Sequence, residues 1–335
     1  MKKFLLIMAG ILIVFSLAAC GQKSQEDVEK SLNKKVTQMK SYKAKAQMTL
    51  KMGSDPQVYD VEIWHKDPDY YRVLLKNEKK EQSQMILRNK DGVYVLTPAL
   101  NKSFHFQSDW PNKSSQAYLY ESIVKDIMED KESTFKATDN HYVFGTKTRY
   151  QNNKMLPLQE ITFKKKDLSP VSVKIMDSDH NTLVTVEFSK VTFNPTFEKD
   201  AFDMKKNMTG AQLEVPVMAE AEGGEMSLKY PAEMDGISLV EEKEVKTDNG
   251  MSVVLTYEGE KNFTMIAEKA EVVESSISPQ SALGDPVDLG YTIGALTDRS
   301  ISWTLDGVDY TIASQDLTKE EMAEIARSVQ VEPIK

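Results

Sequence analysis

The chain has 335 residues, of which 40% are hydrophobic and 28% charged, a globular composition with length for two domains. Its 42 Lys and Arg against 51 Asp and Glu give a net charge of −9, which argues against nucleic acid and against a polybasic grip on anionic lipid. Cys20 is the only cysteine, so there is no disulfide and no thiolate metal site, and stability must come from packing.

Met1-Lys2-Lys3 is positively charged and precedes an apolar run from Phe4 to Leu17, interrupted by Gly10 and Ser16. A membrane-spanning helix takes roughly 20 apolar residues. This run is shorter and ends at the small pair Ala18-Ala19, so residues 1–19 read as a cleaved secretory signal. Losing Lys2 and Lys3 leaves 40 basic against 51 acidic side chains, or −11.

Beyond residues 21–23, Ser24 followed by Glu26 and Asp27, with Val28, Leu32, Val36 and Met39 recurring, predicts a capped helix with one apolar stripe. From Tyr42 the period changes to two. Strands are predicted at 42–52, 58–66, 70–78, 83–89, 92–97 and 102–107, divided by Gly53 to Pro56, Asp67-Pro68-Asp69 and Asp91-Gly92. A helix is predicted from about Ser114 to Glu129, then strands at 134–138, 141–149, 158–165, 170–177 and 182–193. Gly210, Pro216, Gly223 and Gly224 mark a linker over 209–224, which separates a domain at 20–208 from a smaller α+β domain at 225–335. In the latter, strands are predicted at 226–230, 237–245, 251–257, 262–268, 287–294, 299–304 and 308–313. A last helix follows, with Thr318 and Glu321 as a capping box and Met322, Ile325, Ala326 and Val329 as its buried stripe.

Leu17-Ala18-Ala19-Cys20 resembles the bacterial lipobox. That resemblance implies cleavage between Ala19 and Cys20, diacylglycerol on the Cys20 thiol with an N-acyl group as a further option, and no other cofactor. The body is then held at the outer, extracytoplasmic face of the cell membrane. One acyl chain anchors only marginally, at about 0.8 kcal/mol per methylene, and a lipobox lipoprotein carries two or more.

Glu62 to Val73, with its Pro68 turn, the hairpin Asp91 to Pro98, Leu168-Ser169-Pro170, and Val186 to Phe202 resemble, in this order, the LolA-like outer-membrane lipoprotein carrier family over residues 25–206. The implied fold is mainly β: a half-open antiparallel β-barrel with covering helices. Trp303 to Gly307, Tyr310 to Ile312 and the terminal helix resemble a small domain of anti-sigma factors and sporulation lipoproteins. Two departures stand out. Asp67 occupies the position where soluble carriers have an Arg that latches a helical lid, with Arg72 as a candidate substitute, and a tethered protein cannot shuttle.

His65, His105, His141 and His180 fall in no metal spacing, and no GxSxG, Walker A or GxGxxG occurs. No catalytic or metal residue is therefore assigned, and the chain is expected not to be an enzyme. A half-open barrel leaves a concave apolar face for a helix or a ligand to fill. Trp64, Tyr71, Val73, Met85 and Met128 are candidates for lining it, each weighed against ordinary core packing. The expected function is binding of acyl chains of a lipid or lipoprotein, in sporulation or envelope biogenesis. The alternative is a regulatory module that contacts a membrane or anti-sigma-type protein.

Overall fold

The structure, a computed structural model, describes residues 23–51, 56–77, 82–111, 115–149, 156–214, 226, 228–247, 250–271, 279–290 and 292–329. Residues 1–22, Cys20 and the expected signal among them, and residues 215–225 lie outside them. Helix α1 (Gln25–Gln38) starts at the expected cap: Ser24 Oγ accepts from the Asp27 N–H at 3.2 Å, and the Asp27 carboxylate accepts from the Ser24 N–H at 3.3 Å. This reciprocal pair satisfies donors that a first turn leaves open.

The meander follows as β1 (Ser41–Leu50), β2 (Gln57–Lys66), β3 (Tyr70–Asn77), β4 (Gln82–Asn89), β5 (Gly92–Thr97) and β6 (Lys102–Phe106). After helix α2 (Tyr120–Glu129) come β7 (Thr134–Ala137), β8 (His141–Lys147), β9 (Leu158–Lys164), β10 (Pro170–Met176) and β11 (Thr182–Phe193). β11 returns to β1, pairing Phe193 with Tyr42 and Val184 with Leu50, so the two meanders fuse into one antiparallel sheet with β6 and β7 at opposite ends. The ends do not join, and the sheet is a half-open barrel. Its alternation sends Tyr71, Val73 and Leu75 of β3 to the concave face, where Val28 and Leu32 of α1 and Ile123, Val124 and Ile127 of α2 meet them in one core.

The convex face is apolar only in part. Met85, Leu87, Tyr94 and Leu96 are covered by Ala201, Phe202, Met208 and Ala211. The last two belong to helix α3 (Met204–Glu214), whose first turn is capped by the Asp203 carboxylate accepting from the Lys206 N–H at 2.8 Å. The linker expected from residue 209 therefore begins inside a helix. Gly210 obscured it, although a glycine weakens a helix by only about 1 kcal/mol when its neighbours are packed.

The C-terminal unit contains β12 (Ile237–Thr247), β13 (Gly250–Gly259), β14 (Phe263–Lys269), β15 (Gln280–Ser281), β16 (Asp285–Asp288), β17 (Ile293–Leu296), β18 (Ser300–Leu305), β19 (Val308–Ala313) and α4 (Lys319–Ser328). Seven described strands form its sheet in the order β12-β13-β14-β19-β18-β17-β16, and β15 instead crosses to pair with β6. Helix α4 has the expected Thr318–Glu321 capping box, and Met322, Ile325, Ala326 and Val329 are buried.

Three further expectations are corrected. Residues 115–119 are not helical, because Ser115 and Gln116 turn inward: the Gln116 N–H donates to Ser122 Oγ at 2.8 Å and Ser115 Oγ donates to Asp126 at 3.0 Å. The single strand expected over 287–294 is two, split where Gly290 takes a left-handed φ of 86°. The described part of 226–230 forms no strand.

Candidate functional site

The concave face is filled from within. Beside its apolar core lies a polar cluster: Tyr42 donates to Glu121 Oε2 at 3.2 Å, and Glu121 Oε1 is 3.2 Å from His65 Nε2. The Tyr71 ring packs on His65 at a centroid distance of 4.5 Å, and Tyr120 meets Tyr42 edge-on. Burial pushes the Glu121 carboxyl up to about 7 and the His65 imidazole down to about 4, so each favours its neutral form. Glu121 keeps 22% of its side chain exposed, but Oε1 itself is out of solvent. The tautomer follows. His65 Nδ1 faces the Tyr70 carbonyl at 3.2 Å, which can only accept, so Nδ1 carries the proton; Glu121 Oε1, 3.2 Å from Nε2, is buried without a hydrogen-bond partner among the described residues.

A second network pins α2 to the far side of the sheet. Asp126, 1% exposed, accepts from Gln159 at 2.6 Å and from Arg149 Nε. Burial raises its pKa, and the Arg149 guanidinium opposes that shift. Both clusters read as structural, because every group in them is turned toward a helix that plugs the concavity.

Room remains at the seam between the two sheets. A cavity of about 260 Å³ is walled by Val95, Phe104 and Phe106 from the concave face of β5 and β6, and by Ile293 and Ala295 of β17. Its floor carries Ser302, Thr304 and Thr311, whose hydroxyls are engaged: Ser302 with Thr311 at 2.9 Å and Thr304 with Asp309 at 2.5 Å. A smaller cavity of about 60 Å³ continues past Gln84 and Thr304 to Leu75, Leu100 and Leu305. The seam is closed by the Lys102–Asp309 ion pair at 2.8 Å, by the Thr292 hydroxyl donating to Gln84 at 2.9 Å, and by Tyr118 donating to the buried Asp288 at 3.1 Å.

The five residues expected to line an apolar site are not brought together. Tyr71 and Val73, 5% and 0% exposed, are plugs of the concave core. Trp64 and Met85 point from the opposite, convex face, where Met85 is buried under Phe202 and Met208, and Met128 lies at the surface, 36% exposed. The separation follows from the period of two, since neighbours such as Trp64 and Ile63 leave opposite sides of a strand. The seam residues were missed. Val93 and Val95, like Phe104 and Phe106, alternate visibly as one apolar face, but nothing in their sequence says that residues 293–311 lie across from them. Cys20 falls outside the described residues. Among those residues, no group of three or more His, Cys, Asp or Glu stands where it could hold a metal ion.

A family model described as "Sporulation protein YdcC-like" matches residues 1–202. Sporulation protein YdcC of Bacillus subtilis (strain 168) is 56% identical over 330 residues, covering 98% of this chain and 97% of the relative. Among solved structures, the MucA/MucB complex of Pseudomonas aeruginosa aligns over 92% of this chain and 100% of that one at 13% identity, with a TM-score of 0.35. A LolA superfamily protein from Nitrosomonas europaea aligns over 51% of this chain and 96% of its own at 10% identity, with a TM-score of 0.28.

Proposed function

Because the chain belongs to the YdcC-like sporulation protein family, we propose that it serves in spore formation as a lipid-anchored binding protein at the outer face of the cytoplasmic membrane. Diacylglycerol on Cys20 anchors it there, and the seam between its two sheets takes the end of an acyl chain from a lipid or lipoprotein. The carrying observation is the cavity of about 260 Å³ walled by Val95, Phe104, Phe106 and Ile293. It lies just below the range of about 300–1,000 Å³ typical of sites that enclose a whole ligand. A chain end therefore fits better than an entire lipid. Each methylene moved from water into that wall gains about 0.8 kcal/mol, and no catalytic group is needed.

The test is lipid analysis of the body produced from residue 21, without the lipidated cysteine. Stoichiometric lipid with the native body, lost when Ala295→Phe fills the cavity, supports the reading. A native body free of lipid contradicts it.

A second reading, docking of a protein partner, rests on the edge of β6. Among the described residues Gln280 and Ser281 cover that edge, paired in parallel with Phe104 and His105, the Ala282 N–H donates to the His105 carbonyl at 2.9 Å, and the adjoining Leu283 is 81% exposed. So short a parallel pair is a weak cover that an added strand could replace. An empty body that cross-links from position 283 to a membrane protein would favour this reading.

A further inference from the structure

A second basin lies on the convex face, across the large sheet from the seam. There Lys43, Trp64 and Arg72 stand side by side on β1, β2 and β3, in direct register. The Lys43 ammonium sits 4.1 Å from the centre of the Trp64 ring and 4.8 Å from that of Phe197, and the Arg72 guanidinium lies 4.4 Å from Trp64. These rings and cations line a cavity of about 440 Å³ together with Leu74, Ala211 and the Lys206 side chain.

The charge there is uneven. Arg72 is answered by Glu62 at 2.8 Å and held by Asn207 at 2.7 Å, and Lys206 is answered by Glu198 and Asp200, both at 2.9 Å. Lys43 has no carboxylate partner among the described residues. A row of cation, aromatic and cation would by itself be an ordinary cross-strand ladder on a sheet surface. A ladder, however, has no use for a concave space beside it, or for a cation without a counter-ion on its rim.

We propose that this basin binds an anionic group, a phosphate or carboxylate, attached to an apolar body: the anion meets Lys43 and Arg72, and the body lies on Phe197, Leu74 and Trp64. Charge complementarity supplies the polar half of the recognition through Lys43, because Glu62, Glu198 and Asp200 already answer Arg72 and Lys206. The apolar half comes from the same side chains that shape the cavity. Such a group could be the headgroup region of an anionic lipid in the adjacent bilayer or a soluble organic phosphate. The proposal is independent of the seam.

The experiment places the full chain in phosphatidylcholine vesicles and follows tryptophan emission in two arms, phenyl phosphate added in solution and phosphatidylglycerol added to the vesicles. A saturable change in either arm is expected. It should weaken at least tenfold in Lys43→Gln, which leaves the melting temperature unchanged, and vanish in Trp64→Phe while Trp110 and Trp303 still emit. Benzyl alcohol, which has the ring without the charge, should bind at least tenfold more weakly than phenyl phosphate. A response only to phenyl phosphate assigns a soluble ligand, and one only to phosphatidylglycerol assigns the headgroup. No saturable change in either arm, or an undiminished change in Lys43→Gln, overturns the proposal.

Discussion

Glu121 and His65 are two buried groups in contact whose protonation is shifted in opposite directions. With Glu121 raised to about 7 from an ordinary 4.5, the native state holds more protons than the unfolded state between those values, so this group's contribution to stability falls as pH rises through the window. His65, lowered to about 4 from 6.5, does the opposite, and its contribution is lost as pH falls from 6.5 toward 4. The two slopes oppose each other in the wild type. Glu121→Gln, which keeps the shape of the side chain and cannot ionise, removes one of them. Chemical denaturation from pH 4 to 7 should show the variant losing stability relative to wild type on the acid side, on the order of 2–3 kcal/mol at about 1.4 kcal/mol per pKa unit. Parallel curves would show that the carboxyl is ionised throughout. At Asp126 the expected effect is larger. Asp126→Ala removes the buried carboxylate that pairs with Arg149, itself only 14% exposed, and should lower stability by about 3–5 kcal/mol in the same assay at pH 7.

Among the elements, helix α3 gives the sharpest prediction. A chain ending at Glu214 keeps Met208 and Ala211 over Met85 and Leu96, whereas one ending at Asn207 loses both and exposes that convex patch. Thermal melting should separate the two by several degrees, the shorter chain being the less stable, and equal midpoints would mean that the helix covers nothing of value. Most elements were legible in the sequence because each carried its own local signal. Ser24 and Thr318 announce their helices as caps, and the alternation of Tyr71, Val73 and Leu75 announces a half-buried strand. Helix α3 was not legible, because its apolar positions make sense only against a sheet face built more than a hundred residues earlier. The two-residue β15 has no periodicity to read.

At the scale of the molecule, the seam decides what the two units do together. The core runs without a break from the concave face through Tyr118 and Phe106 to Leu289 and Ile301, and Gln84, Lys102 and Tyr118 all bond across it. Such continuity favours one cooperative unfolding transition for the whole body, and calorimetry resolving two transitions would show the seam to be energetically weak. The same geometry explains why the candidate residues drawn from one domain do not come together. Tyr71 and Val73 carry the right chemistry, but α1 and α2 fill the space in front of them, and the remaining apolar room needs residues from both units. The direct test is nuclear magnetic resonance of the methyl-labelled body with a spin-labelled fatty acid. Binding at the seam should broaden the methyl signals of Val95, Ile293 and Ala295 and leave those of Ile63 and Val73 sharp. Broadening at Ile63 and Val73, or at none of these methyls with the fatty acid in excess, would contradict acyl-chain binding at the seam.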